Sequence, residues 1–203
     1  MGKNLNPPKV PGATPPDDFS GLKTKYVKTQ AQLNLAEFEN INRVLPKYFL
    51  APLTGNKAKF NYEWFLKLHR EMFDDVWEWA GEIRKTGLTI GIEPKKIGAE
   101  LHRLTAELHQ WEKERVDLFE IAVRLHHRLV WIHPFYGGNG RWARFAANIY
   151  LRKKNQRLVF WPEDQMTVES GLRVEYIEAL READHDDFTH LIRLHKQYQE
   201  EKL

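Results

Sequence analysis

Apolar residues recur at intervals of three and four along most of the chain, and polar or proline-containing segments separate the stretches that carry them. This spacing places the apolar side chains on one face of a helix, so each stretch predicts an amphipathic helix. The predicted helices cover residues 29–45, 61–80, 97–111, 117–132, the stretch from the glycine-rich loop to about 153, 168–180 and 186–195. The chain is therefore expected to fold mainly as packed helices.

Several of these helices have recognisable ends. Thr29 and Gln32 have the spacing of a capping box at the first helix, and Pro46 ends that helix because proline cannot donate a backbone hydrogen bond. Gly81 is placed to stop the second helix. Asp186 is expected to cap the last one.

Two segments depart from the helical pattern. Residues 82–94 carry β-branched side chains, two glycines and a final proline, which favours a short β-hairpin. Residues 1–28 contain prolines at positions 7, 8, 11, 15 and 16, which predict an extended N-terminal arm. The expected organisation is this arm followed by one helical domain over residues 29–203.

Composition excludes several kinds of function. The 31 basic and 28 acidic residues nearly balance, so we expect no direct nucleic-acid binding. The absence of cysteine rules out disulfides and thiolate metal sites. The sequence also lacks the His-Glu-x-x-His spacing that is typical of a zinc site. No long apolar run or signal-peptide core is present in the sequence, which predicts a soluble, cytoplasmic protein without a membrane partner.

The stretch from His133 to Arg144 holds the candidate chemistry. It combines a histidine, a glycine-rich turn and two arginines three residues apart, directly before a helix. Helix-opening N–H groups lack internal partners and the helix dipole attracts anions, while arginine suits phosphate oxygens. The stretch therefore predicts an anion site, although Gly-Asn-Gly alone is common in turns and a lone histidine is often structural.

This stretch resembles the motif of the Fic family, His-x-Phe-x-Asp/Glu-Gly-Asn-Gly-Arg-x-x-Arg. The resemblance extends over roughly residues 30–198, since the helical order and the predicted hairpin also agree with that family. Segments 77–81 and 123–130 further resemble a Fic subgroup labelled mobile mystery protein B. The implied fold is an all-α, Fic-type helical bundle with a short β-hairpin flap.

The activity implied by the resemblance is transfer of AMP from ATP onto a hydroxyl side chain of a target protein. His133 would then be the general base, a task that suits a neutral imidazole, and Phe135 would anchor the loop. The implied phosphate-binding residues are Gly138, Asn139, Gly140, Arg141 and Arg144. Arg144 would reach the γ-phosphate.

Gly137 departs from the family pattern, which has Asp or Glu at this position to hold Mg²⁺. Phosphates and waters can hold Mg²⁺ with few protein ligands, so the resemblance leaves this metal open. Two alternatives to adenylyl transfer follow. The domain would be a nucleotide- or partner-binding module that has lost activity, or a transferase of another phosphate-containing group.

The resemblance also implies regulation and a partner. Residues 29–45 would be an inhibitory helix in which Glu39 pairs with Arg144 and blocks the γ-phosphate; the alternative is a solvated surface glutamate. Leu88, Thr89, Ile90 and Gly91 would form the flap that binds the target protein as an added strand, unless the hairpin only covers the core. A small antitoxin or regulator is a further candidate partner.

Overall fold

The computed structural model describes residues 21–24, 26–54, 57–166 and 169–199. Nearly all of the predicted N-terminal arm, residues 1–20 and 25, lies outside this range. The described residues form an all-α fold. Its helices are α1 (Gln30–Leu45), α2 (Tyr62–Phe73), α3 (Ile97–Lys113), α4 (Leu118–Ile132), α5 (Asn139–Lys153), α6 (Glu163–Met166), α7 (Gly171–Ala183) and α8 (Thr189–Gln197), with a π-helical turn over Pro46–Leu50 and a 3₁₀ turn over Pro94–Lys96.

Helix α4 is central to the core. The carboxylate of Asp117 accepts hydrogen bonds from the N–H groups of Phe119 and Glu120 and thereby caps the helix. Most of its side chains are buried, and it packs against α3, α5 and α8. The nearly continuous apolar sequence of this segment thus reflects a helix surrounded by others. Its last turn delivers His133 to the loop before α5.

Helix α1 has the capping box predicted at Thr29 and Gln32. Its inward face carries two polar residues, Glu37 and Asn40, among apolar ones. The Asn40 side chain donates to the carbonyl of Glu71 at 3.1 Å and accepts from the N–H of Asp75 at 2.9 Å. These bonds fix α1 against the end of α2.

Two predicted helix ends are wrong. Helix α2 stops at Phe73 and residues after it form turns, because the backbone of that segment bonds to the preceding chain: Lys23 N–H donates to Val76 O and Glu78 N–H donates to Gly21 O. Helix α8 begins at Thr189, whose N–H donates to Asp187 at 3.0 Å, so Asp186 is not its cap. No described helix is long and apolar enough to cross a membrane.

The predicted β-hairpin is not formed. Residues 82–93, all of which the structure describes, contain no β-ladder. The buried side chain of Arg84 lies within this segment and donates to the carbonyls of Thr86, at 2.9 Å, and Ile92. One guanidinium thus supplies donors that a strand ladder would otherwise provide, and the segment folds as an irregular loop around it.

Candidate active site

His133 ends helix α4 in the left-handed conformation, with φ of 51°, and its side chain is buried. Its Nδ1 lies 3.2 Å from the carbonyl oxygen of Val130. Since a carbonyl only accepts, Nδ1 carries the proton in this contact and Nε2 is the acceptor nitrogen. Burial, followed by the nearby charges of Arg84 and Arg173, lowers the pKa of His133 to about 4 even though the hydrogen bond to Val130 raises it. The imidazole is therefore neutral at pH 7.

The irregular loop over residues 82–93 lies directly on His133. A Cβ atom at Gly91, where φ is +92°, would sit 2.4 Å from the Cβ of His133. Only glycine permits this approach. Arg84 holds the same loop against His133 and Pro134. Its side-chain Nε donates to the His133 carbonyl at 2.7 Å, and its backbone N–H donates to the Pro134 carbonyl at 2.9 Å. The segment predicted as a flap is thus placed beside the histidine, although it is not a hairpin.

The loop after His133 is shaped by Asn139. Its side chain accepts from the N–H of Phe135 at 3.0 Å and donates to the Phe135 carbonyl at 2.8 Å. Phe135 itself is fully buried and stacks on His69 with ring centroids 3.6 Å apart. The amide of Asn139 therefore closes the loop, and this residue can offer a ligand only its backbone.

His69, on α2, is a site-forming residue that the sequence analysis missed. Its Nδ1 accepts from the N–H of Gly81 at 3.0 Å, so its Nε2 carries the proton and donates to the carbonyl of Gly137, also at 3.0 Å. Burial lowers its pKa to about 3, which keeps the ring neutral. The sequence offered one signal, a polar residue on the apolar face of the predicted helix.

Helix α5 begins immediately after Gly138. The φ of +73° at Gly138 and a Cβ that would lie 2.5 Å from the Phe73 ring both require glycine there. The first N–H groups of α5 are not used inside the helix, and its dipole favours an anion at this end. Arg141 and Arg144 extend from the first two turns of α5. The structure therefore places a helix N-terminus directly after the glycine-rich loop, and the anion site stays a prediction.

Both arginines are engaged with glutamates. Arg141 donates to the buried Glu37 of α1 at 2.8 Å. Arg144 is buried and forms a bidentate pair with Glu163, at 3.0 Å and 2.6 Å. Because a carboxylate resembles a phosphate as a partner of the guanidinium fork, each glutamate occupies donors that a phosphate would use.

The predicted pair between Glu39 and Arg144 is not formed. Glu39 is exposed, and Glu163 holds Arg144. Positions 37 and 39 are separated by about 200° around a helix of about 3.6 residues per turn. When Glu37 faces the core, Glu39 must therefore face away from it.

The residues around Gly137 do not fit a magnesium ion bound by the protein at this position. Gly137 has no side-chain ligand, and its carbonyl accepts from the buried His69. A Cβ at this position would lie 3.2 Å from the ring of Trp79. The Trp79 ring therefore lies next to the position that the side chain of an acidic residue would start from. Within the described ranges, no group of three or more His, Asp or Glu residues is placed to hold a metal.

The fold and the site together define a helical domain in which a buried histidine lies beside a glycine-rich loop and a helix N-terminus with two arginines. Residues 59–151 match the Fic/DOC family. The chain thus carries a Fic/DOC domain, as its motif predicted. The match is to the family as a whole, so the mobile mystery protein B subgroup stays a prediction.

Curated relatives are named protein adenylyltransferases. The chain is 30% identical over 134 residues to fic-1 of Caenorhabditis elegans, covering 63% of this chain and 25% of the relative. It is 27% identical over 152 residues to Fic of Nematostella vectensis, covering 72% and 34%. The chain thus spans a quarter to a third of the length of these relatives.

Solved Fic structures share the fold. Fic-1 of C. elegans superposes with a TM-score of 0.66 at 23% identity, over 82% of this chain and 48% of that one. BepC of Bartonella tribocorum, solved with bound AMPPNP, gives 0.67 at 19% identity, over 91% and 94%. At such identities the likeness establishes the fold.

Proposed function

We propose that this chain is a protein adenylyltransferase that moves AMP from ATP onto a hydroxyl side chain of a target protein. One observation carries the proposal: a buried, neutral His133 stands at the entrance of the loop that leads to the N-terminus of α5. A proton acceptor is thereby paired with an anion site. The names of the curated relatives support the same activity.

In the proposed reaction, Nε2 of His133 accepts the proton of the target hydroxyl. The hydroxyl oxygen attacks the α-phosphorus of ATP, and the bond from that phosphorus to the oxygen bridging to the β-phosphate breaks. The products are the AMP ester of the target and pyrophosphate. The Nδ1–H contact with Val130 O supports this role because it leaves the lone pair on Nε2.

The phosphates would lie at the start of α5. Backbone N–H groups of Gly138, Asn139 and Gly140 would face them, and Arg141 and Arg144 would neutralise their charge. Each arginine has to exchange its glutamate for phosphate oxygens, so nucleotide binding competes with Glu37 and Glu163. AMPPNP in BepC and ADP in a Bartonella quintana Fic domain support ATP as the substrate.

The target protein would bind along the loop of residues 82–93. Thr89 and Gly91 are exposed, Leu88 and Ile90 are half-buried, and Gly91 touches His133. An extended target segment that pairs with this backbone would bring its hydroxyl to the imidazole. Arg84 supports the role because it connects the loop to the histidine carbonyl.

A second candidate function is nucleotide or partner binding without turnover. Gly137 and the Trp79 ring beside it favour this alternative, because the position lacks the acidic side chain of the family motif. Transfer of another phosphate-containing group is the remaining alternative.

ATP labelled separately at the α- and γ-phosphates distinguishes these functions. Adenylyl transfer predicts α-label on protein, abolished by His133→Ala while nucleotide binding is retained. His102→Ala, at an exposed position on α3, is the matched control and should transfer normally. γ-Label on protein would indicate a kinase, and binding without either label would establish the non-catalytic module. Persistent α-labelling in His133→Ala would disprove the assignment of the base.

A further inference from the structure

Arg84 bonds to the two residues that follow helix α4 with both its backbone and its side chain. Its backbone N–H donates to the carbonyl of Pro134 at 2.9 Å, and its Nε donates to the carbonyl of His133 at 2.7 Å. The rest of the guanidinium donates to carbonyls of its own loop, those of Thr86 at 2.9 Å and Ile92. One side chain therefore joins this loop to the backbone of the proposed general base.

The backbone of His133 has a conformation that needs support. A residue before proline favours extended backbone, whereas His133 is left-handed, with φ of 51° and ψ of 60°. A residue other than glycine keeps such a conformation only where the surrounding structure fixes it. On its N-terminal side, the N–H of His133 donates to the Leu129 carbonyl at 3.1 Å. On its C-terminal side, Arg84 bonds the next two carbonyls. The orientation of the imidazole therefore depends on α4 on one side and on Arg84 on the other.

Gly91 lies between Arg84 and His133. A Cβ atom at Gly91 would lie 2.9 Å from Nη2 of Arg84 and 2.4 Å from the Cβ of His133. The loop thus packs against both the guanidinium and the histidine, and only glycine fits between them. Loss of the guanidinium would release the loop and uncover the imidazole, because His133 is only 6% exposed while the loop lies on it.

The charge of Arg84 is buried among backbone groups. Arg84 is 1% exposed, and over the residues that the structure describes its guanidinium donates to carbonyls and forms no salt bridge. Burial of a charge without a counter-charge is costly, so neutral hydrogen bonds would hold a loop at lower cost. Burial is the main cause of the low pKa of His133, the hydrogen bond to Val130 opposes it, and the charges of Arg84 and Arg173 add to the lowering. The buried charge therefore also favours the neutral imidazole.

We propose that Arg84 is a positioning residue that fixes the general base His133 and the loop of residues 82–93 as one unit. The inference deepens the proposed function, on which it rests for the roles of the histidine and the loop. A target segment held by the loop meets the imidazole at a fixed distance, because the same guanidinium holds both. Arginine suits this task since its three nitrogens lie in one rigid plane and each bonds a different carbonyl.

The test compares Arg84→Met and Arg84→Lys with Arg152→Met in the whole protein. Arg152 is the matched control because its guanidinium also donates to backbone carbonyls, those of Tyr48 at 3.0 Å and Ala51 at 3.3 Å, and it lies at the other end of α5. Arg84→Met removes the charge and all three donors. Arg84→Lys keeps the charge but offers one nitrogen in place of three.

NMR of the protein with ¹⁵N-labelled imidazole rings reports the tautomer and the pKa of His133, whose signal is assigned with His133→Ala. In the wild type we expect the Nδ1–H tautomer and a pKa of about 4. In Arg84→Met the pKa should rise toward the ordinary value of about 6.5, because a nearby positive charge and the cover of the loop are both lost. His126, which is fully buried on α4, should keep its signal in every variant and report an intact fold.

Transfer of α-label is measured in parallel. We expect it to fall about 100-fold in Arg84→Met and in Arg84→Lys, the effect of a misplaced catalytic group, and to stay unchanged in Arg152→Met. Full transfer by Arg84→Lys would overturn the positioning role, because the charge alone would then suffice. An unchanged His133 signal in Arg84→Met, or the same change in Arg152→Met, would also overturn it.

Gly91→Ala tests the same role without altering Arg84, and it replaces Arg84→Met if that variant does not fold. The added Cβ displaces the loop from the histidine, so the pKa of His133 should rise and transfer should slow; no change in either would refute the proposal. The NMR result does not depend on group transfer. If the His133 signal changes as expected but the wild type transfers no α-label, the positioning role stands and the adenylyltransferase proposal fails. If the wild type transfers α-label and Arg84→Met matches it in signal and rate, the reverse is true.

Discussion

Glu37 on α1 accepts a hydrogen bond from Arg141 on α5 at 2.8 Å, across 104 residues of sequence. Its other carboxylate oxygen accepts from Nε1 of Trp77, also at 2.8 Å. The first helix therefore reaches the proposed phosphate site through Glu37, and it does so at the first motif arginine. Glu39, for which the family resemblance implied a pair with Arg144 and the alternative was a surface glutamate, is exposed.

Replacing Glu37 with Gln should strengthen anion binding. The substitution retains an oxygen for Trp77 but removes the charge that competes for Arg141, so we expect about a three- to tenfold gain in tripolyphosphate affinity, a gain of about 1 kcal/mol. Isothermal calorimetry measures the change. Glu39→Gln, on the same helix, is the control and should bind as the wild type does. A gain in Glu39→Gln but not in Glu37→Gln would refute the pairing.

Glu163→Gln should have opposite effects on stability and binding. Arg144 is buried and would lose its charged partner, which destabilises the fold; because Glu163 is half-exposed, we expect a loss of only about 1 kcal/mol. Tripolyphosphate should bind several-fold more tightly because its competitor is gone. Urea unfolding and calorimetry on the same sample check both effects. Glu175→Gln, at a half-exposed acid on α7 that pairs with Arg193, serves as the control, and weaker binding by Glu163→Gln would contradict the competition.

Stability should fall as the pH is lowered from about 7 to 5. Burial lowers the pKa of His69 to about 3 and those of His133 and His195 to about 4, and lowers that of His126 as well. Between these values and the unfolded pKa of about 6.5, the unfolded chain binds protons that the folded chain does not. Each such histidine contributes roughly 1.4 kcal/mol per pH unit within this window.

Urea unfolding at pH 7.5, 6.5 and 5.5 measures this loss. The contribution is fully present above the unfolded pKa and declines as the pH falls toward the folded values. His102→Gln removes an exposed histidine and is the control. It should leave the pH dependence of the free energy of unfolding unchanged. A stability that is flat from pH 7.5 to 5.5 would show that the buried histidines are not neutral.

The sequence by itself determined the features that depend on local chemistry. The apolar spacing predicted helices over residues 97–111 and 117–132, and α3 and α4 match these bounds closely. The glycines before α5 predicted a loop at a helix start, because a left-handed residue such as Gly138 is a local requirement. The motif from His133 to Arg144 then identified the family.

Only the tertiary structure decided which polar groups meet. Glu37 with Arg141, His69 with Gly137 and Arg84 with His133 are joined across 104, 68 and 49 residues of sequence. Helical periodicity shows that a residue faces inward, but the packing of separate helices decides its partner. The predicted hairpin was wrong for the same reason. The β-branched residues of 82–94 favoured strands, but the buried side chain of Arg84 donates to the backbone carbonyls of Thr86 and Ile92, which strand pairing would otherwise use.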